Sequence, residues 1–304
     1  MRTALATWNR PFIIFTVAMA AVAAVSVGGL ILDDRVLVGA PIWLKPLKFA
    51  LSFMLYGVAW AWLIALMPKR SRTLQAASAV IILTSIVEMA ILLTQTVRGR
   101  ESHFNSTTET DAMLFELMGI TIAVFWVATL VGSVVIGARR IAPRPENLAI
   151  RLGLGISLVG MLLGIPMTTR DSMREGFSGT HSVGVVEGGP GMPLTAWSTT
   201  GGDLRIPHFV GLHALQVLPL IALALTVLAA RYAVLRAEEV RYRMVWTAGV
   251  VYAGLIALVT WQAFRGQPLL RPDWLTLAAL AVLIGAGAAG VSWAKAGRKE
   301  LVTA

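Results

Sequence analysis

The chain has 304 residues, 57% of them hydrophobic and only 14% charged, with a formal net charge of +10 and a mean hydropathy of +0.74. Soluble domains carry roughly 25% charged residues, so this composition excludes an ordinary water-soluble globule and points to a polytopic membrane protein. The absence of cysteine excludes disulfides, thiolate metal centres and a cysteine nucleophile.

Apolar runs longer than the roughly 18 residues needed to cross a bilayer as helix place eight spans, at 11–32, 48–67, 74–97, 112–138, 149–168, 208–235, 244–264 and 274–294. Arg2 and Arg10 before the first run resemble a signal peptide. Its apolar core is longer than the roughly 7–15 residues of such a segment, so it is read as an uncleaved first helix. The connections "PKRSR" (68–72), "ARRIAPRPENLAIR" (138–151), "LRAEEVRYR" (235–243) and the tail "KAGRKE" (295–300) are short and basic. The positive-inside rule then puts both termini in the cytoplasm. The positive charge is thus explained by topology, and no nucleic-acid motif accompanies it.

The opposite face carries the connections 33–47, 98–111, 169–207 and 265–273. The third, including "GTHSVGVVEGGPGMPLTAWSTTGGDLR", holds Phe177, Trp197 and several prolines. It lacks the high charge and low hydrophobicity of disordered tracts and is read as an ordered lid. "GGPGMP" (188–193) follows no strand and has no Lys-Ser/Thr partner, so it is not a phosphate loop. Trp8, Trp43, Trp261 and Trp274 near span ends suit an aromatic belt, and "GAGAAG" (285–290) suits helix packing.

A weak repeat runs through the chain. Gln95-Thr-Val-Arg98-Gly99 closes the third span, Gln262-Ala-Phe-Arg265-Gly266 closes the seventh, and an aspartate follows each (Asp111, Asp273). "KPLKF" (45–49) enters the second span and "RIPHF" (205–209) the sixth. The expected fold is therefore all-α, with eight transmembrane helices in two parallel four-helix halves, 1–148 and 149–304, the lid belonging to the second.

Ionisable groups inside hydrocarbon cost about 2.5–3.5 kcal/mol at mid-helix and are functional candidates. Glu88, Gln95, Glu116, His208, His213, Gln216 and Gln262 all fall in the outer halves of their spans, with His103, His181 and Asp203 in the outer loops. All four histidines of the chain belong to this face, and the inner halves, short of the basic ends, carry no Asp, Glu, Lys, Arg or His. Three chemistries suit such a set. His103, His181, His208 and His213 are candidate ligands for zinc, iron or copper, although the spacing of five between His208 and His213 is not that of an i, i+4 pair. A haem b could sit between two histidines. Alternatively Arg98, Arg205 and Arg265, with Lys45 and Lys48, form a basic rim for an anionic ligand, with Gln95, Gln216 and Gln262 beside it. In each case His208, Asp203, Glu88 and Glu116 are the candidate acid–base groups, Asp203 orienting a histidine.

The motifs "WLKPLKFALSF", "RGRESHFN" and "THSVGVVEGGPGMPLTAWSTTGGDLRIPHFVGLHALQ" resemble those of a bacterial family of eight-span integral membrane proteins. The resemblance covers most of the chain, implies the same eight-span fold and carries no activity with it. The architecture alone is also similar to that of heme A synthase, two four-helix halves in a chain of almost this length. That family's haem-ligating histidine pairs have no counterpart here, since spans 2, 4 and 8 contain no histidine. The expected function is a membrane-embedded enzyme or redox protein, working on a small lipidic or anionic ligand from the outer leaflet. A transporter or receptor for an anionic ligand is the alternative.

Overall fold

The computed structural model describes residues 8–303, and the side chains of 8–297; Arg2 and the side chains of Arg298, Lys299 and Glu300 lie outside them. The described chain is helical except for its connections, of which the one between Thr168 and Arg205 is long, and two tiny hairpins. In order come α1 (Arg10–Leu32), β1 (Val36–Leu37), β2 (Ala40–Pro41), α2 (Leu44–Ala65), α3 (Arg72–Val97), α4 (Glu109–Gly137), α5 (Arg144–Leu162) and its one-turn continuation α6 (Ile165–Thr168). Then follow β3 (Ser182–Val183), β4 (Gly202–Asp203), α7 (Arg205–Leu212), α8 (Ala214–Leu228), α9 (Glu238–Phe264) and α10 (Trp274–Thr303). Among the described residues seven helices are long and apolar enough to cross a membrane, α5 and α6 counting as one, and α7 with α8 is a further pair bent by 46°. This is the architecture of a helical, multi-pass membrane protein.

Local chemistry sets the helix ends. Asn9, Ser71 and Thr108 each cap a first turn, accepting the amides of Phe12, Leu74 and Asp111, which satisfies donors that the helix itself leaves free. α3 and α9 end alike: Gly99 (φ +70°) and Gly266 (φ +71°) turn the chain into the left-handed region. Arg100 and Gln267 then donate back to the carbonyls of Gln95 and Gln262, a glycine-terminated cap whose backbone glycine tolerates best.

The helices pack in adjacent pairs, α1 on α2, α3 on α4, α5 on α7 and α8, and α9 on α10, while α4–α5 and α2–α8 contacts join the groups. Phe12, Phe15, Trp60, Leu63 and Ile81 are buried between α1, α2 and α3, with Phe12 stacked on Trp60 at 6.1 Å. A second cluster sets Ala149 against Leu218, Ala222 and Val245. The remaining apolar faces, such as Ile14, Val17, Leu83, Val127 and Val282, point outward, as lipid-facing surfaces do. α5 and α7 meet backbone to backbone at Gly160 and Gly211, where a Cβ on either residue would collide with the other.

One end of the bundle gathers the long connections. β1 pairs with β2 and β3 with β4, and Asn105 bridges to Phe177. Ser106 and Ser178 donate to the carbonyls of Gly176 and Phe104, so the loop after α3 is stitched to segment 169–204. That segment is folded back on itself, with Gly191 bridging to Ser198. The Asp33-Asp34-Arg35 and Asp203-Leu204-Arg205 turns are built the same way. In each, the arginine amide and Nε bond one carboxylate oxygen of the aspartate two residues earlier, and Nη2 bonds the other.

Three features differ from the hydropathy reading. α2, α4, α5 and α9 begin several residues before the expected spans, because their first turns are polar yet still helical. The stretch 208–235 is not one helix: it breaks at His213 and stops at Leu228. The break lies between Gly211, pressed on Gly160, and Pro219 inside α8, two residue types at which helices bend.

Candidate functional site

The connections of the loop end meet over the first turns of α2 and α7. Lys45 and Lys48 lie three residues apart and so share a face of α2, half-buried. Glu88 comes from α3, one turn after Thr84 and two before Gln95, and is only 1% exposed. His103 is carried by the loop after α3, in a turn where the next residue, Phe104, adopts φ +62°. Ser102 (3.0 Å) is also within reach of its Nδ1.

These residues form a line. Lys45 Nζ lies 3.1 Å from His103 Nδ1, and His103 Nε2 lies 3.7 Å from Glu88 Oε1. An ammonium has hydrogens and no lone pair to offer, so against Lys45 the Nδ1 atom accepts and the ring proton sits on Nε2, facing the carboxylate. The other Glu88 oxygen, Oε2, is buried without a hydrogen-bond partner. Phe49, Phe104 and Phe115 wall the imidazole, their ring centroids 5.7, 6.0 and 6.5 Å from it. Burial, with the Lys45 charge and then His208 and His181 adding to it, holds the His103 imidazole well below its usual pKa. It is a neutral ring at neutral pH.

A second polar group ties the lid down. Asp203 is buried and receives Arg205 Nε at 2.9 Å and Nη2 at 2.6 Å, along with the Ser198 amide at 2.9 Å. Burial raises the Asp203 carboxyl, but the hydrogen bonds and charge of Arg205 outweigh it and the net position is below the ordinary value. His181 sits between Glu187 (3.4 Å) and Asp203 (3.8 Å); burial, then the Arg205 charge, pushes its imidazole down to about 4. Arg174 joins Glu101 (2.5 Å) to Glu187 (3.7 Å) and stacks on Phe177. Lys48 Nζ donates to the Thr195 carbonyl at 2.7 Å and Arg205 Nη2 to the Ala196 carbonyl at 2.6 Å.

The sequence candidates separate accordingly. Glu88, His103, His181, Asp203, Arg205 and His208 gather at this end, with His208 and His181 within electrostatic reach of His103. His208 Nδ1 lies 2.8 Å from the Gly160 carbonyl, which can only accept, so this nitrogen carries the proton. Asp203 serves Arg205 first and faces His181, not His208. Among the described residues the His213 side chain reaches only Gln216, at 3.4 Å. Arg98 bonds Gln95 and pairs with Asp111, while Arg265 pairs with Asp273 and covers Trp261. Gln95 and Gln262 donate to Asp111 and to the Pro268 carbonyl, so all four close helix ends. Glu116 is exposed on α4 and, among the described residues, has no polar partner. The histidines and carboxylates do not converge on a point: among the described residues no three of them could hold a metal ion. Sequence reasoning placed Lys45 and Lys48 on a rim and Glu101 in the outer polar loop, and passed over Arg174 and Glu187; for the rim, a lysine pair at i, i+3 opening an apolar helix was the available signal.

No protein-family model, curated protein or solved structure matches the chain, so its function is to be read from these residues.

Proposed function

We propose that the protein is a membrane-embedded enzyme that performs acid–base chemistry on a membrane-soluble substrate at the outer leaflet. The observation that carries this reading is the Lys45–His103–Glu88 line beneath an ordered roof. In its resting form Lys45 is an ammonium, His103 carries its proton on Nε2 and Glu88 is a carboxylate. One proton passing from Lys45 to Nδ1, with the Nε2 proton passing to Glu88, leaves a neutral amine, the other imidazole tautomer and a carboxylic acid. The total number of protons is unchanged. The imidazole thus links a base and an acid at opposite ends of one line, which is what proton removal and return on a substrate require. The aromatic walls supply an apolar berth for a lipidic chain and exclude water, which strengthens charge interactions at the site.

A metal at the same place is disfavoured by the Lys45 ammonium on the imidazole, since that cation would repel a second one. In this reading the α7–α8 pair is one span, giving eight spans in two four-helix halves. The matching Gln-x-x-Arg-Gly caps and Asp-x-Arg turns support the duplication. The basic connections support cytoplasmic termini in a bacterial inner membrane, with the site facing outward.

The test uses the full-length protein in its own membrane lipids, incubated in D2O or in H2(18)O, with the lipid extract followed by mass spectrometry. A lipid-soluble species should take up label or change mass with the unaltered protein and not with His103→Gln or Glu88→Gln. Identical extracts from all three would refute the assignment.

A further inference from the structure

Among the cations packed around the first turns of α2 and α7, Lys48 stands without an ion-pair partner. Arg205 is neutralised by Asp203, Arg174 by Glu101 and Glu187, and Lys45 stands in line with Glu88 through His103. Lys48 has no carboxylate within ion-pair distance among the described residues. Its ammonium is nevertheless half-buried, beside the Lys45 and Arg205 charges and with the Asp203 carboxylate acting on it only from beyond ion-pair distance, in the first turns of a helix with no side-chain cap. Among the described residues its one hydrogen-bond partner is the Thr195 carbonyl of the lid.

The lid segment that meets these cations is strained. Leu194 (φ +66°) and Ala196 (φ +54°) both occupy left-handed backbone, which residues other than glycine rarely adopt and keep only where their surroundings impose it. The consecutive carbonyls of Thr195 and Ala196 reach Lys48 at 2.7 Å and Arg205 at 2.6 Å. Two consecutive carbonyls of one short segment are thus held, one by an ammonium and one by a guanidinium, the two cations that bind oxyanions. Leu194 beside them is 81% exposed.

We propose that Lys48 and Arg205 form the binding site for an oxyanion headgroup, phosphate or carboxylate, and that the Thr195 and Ala196 carbonyls close the site as a stand-in for that headgroup. The ligand displaces the two carbonyls, the 194–196 turn relaxes, and the lid segment lifts while the apolar tail enters beside Phe49. Lys45, three residues before Lys48, brings the acid–base line next to the bound headgroup. This assignment rests on the enzymatic reading above for its purpose and on the Lys48 and Arg205 geometry for its chemistry.

The absence of native cysteine makes a single label clean. Leu194→Cys carrying an environment-sensitive fluorophore, in a neutral maltoside detergent, is titrated with dioleoyl phosphatidic acid, with dioleoylglycerol as the uncharged control, and with inorganic phosphate alone. Phosphatidic acid should change the fluorescence saturably and dioleoylglycerol should not. Lys48→Met should raise the half-saturating concentration about 10–100-fold, the loss of one charge-assisted hydrogen bond, and Lys48→Arg should recover most of it. A response to inorganic phosphate alone would identify the free anion as sufficient; a response confined to phosphatidic acid would identify the lipid headgroup. Equal responses to phosphatidic acid and dioleoylglycerol, or unchanged affinity in a Lys48→Met protein of normal melting temperature, would overturn the assignment. Glu88→Gln and His103→Gln should still bind. Binding without any lipid chemistry would therefore sink the enzymatic reading alone, whereas chemistry that survives Lys48→Met at full affinity would sink the headgroup site alone.

Discussion

Lys45 Nζ stands 3.1 Å from His103 Nδ1, and this one contact fixes which ring nitrogen holds the proton. With the protein labelled with ¹⁵N at histidine, His103 should give the signature of a neutral Nε2–H tautomer at about pH 6, below the ordinary histidine range. Lys45→Met should release the preference and mix the tautomers. A protonated ring at that pH would contradict both the burial and the pairing.

Glu88 keeps one oxygen buried and unpartnered, an arrangement that costs stability rather than supplying it. Glu88→Gln keeps the shape and removes the charge. The melting temperature in detergent should stay level or rise, by up to about 1 kcal/mol in stability, while any activity is lost. A large drop in melting temperature would instead mark Glu88 as a structural ion-pair partner.

The duplicated Asp-x-Arg turns differ in depth, and their variants should differ too. Asp203→Ala strands the Arg205 guanidinium in the interior and releases the Ser198 amide, a change that costs about 3–5 kcal/mol when a buried pair loses one member. Limited proteolysis should then cut within 186–200. Asp33→Ala breaks the exposed counterpart and should leave the lid as resistant as before.

Gly160 and Gly211 allow α5 and α7 to touch through their backbones. Gly160→Ala places a methyl group where the Gly211 backbone stands and should cost about 1–3 kcal/mol by overpacking. Gly155→Ala, on the same helix with nothing within 4 Å of the added Cβ, should be neutral or slightly stabilising. Thermal unfolding in detergent compares the two directly.

The His181 imidazole, held at about 4, also sets a pH dependence. Between that value and the ordinary histidine value of about 6.5 the unfolded chain binds a proton that the folded chain refuses, so stability rises with pH across this window. The melting temperature should fall as the pH is lowered from about 6.5 towards 4, and His181→Gln should flatten that slope. An unchanged slope would show that His181 titrates normally.

The helical frame is legible in the sequence because lipid demands long apolar runs, and such runs stand out. The helix ends are not, since hydropathy registers the membrane interior and overlooks polar first turns such as Glu238–Arg243. The bend at His213 escapes because no residue there is itself a breaker; Gly211 and Pro219 flank it. Glu88 declares itself as an acid in an apolar run. Its pairing does not, since His103 reaches it through a loop whose path depends on Phe104 in left-handed backbone. Arg98, Arg265, Gln95 and Gln262 look like ligand contacts from sequence because their partners, Asp111, Asp273 and loop carbonyls, complete helix caps only once the chain turns back.

At the end of the bundle away from the lid, charges meet at the surface, as Arg144 with Glu239 and Arg243 with Glu239, and the helix halves next to it carry no Asp, Glu, Lys, Arg or His short of their basic ends. That greasy stretch behaves as an insulator across which the transmembrane voltage falls. Under the proposed acid–base reading, protons taken up beneath the lid leave by the face from which they came, so turnover should neither draw on the voltage nor discharge it.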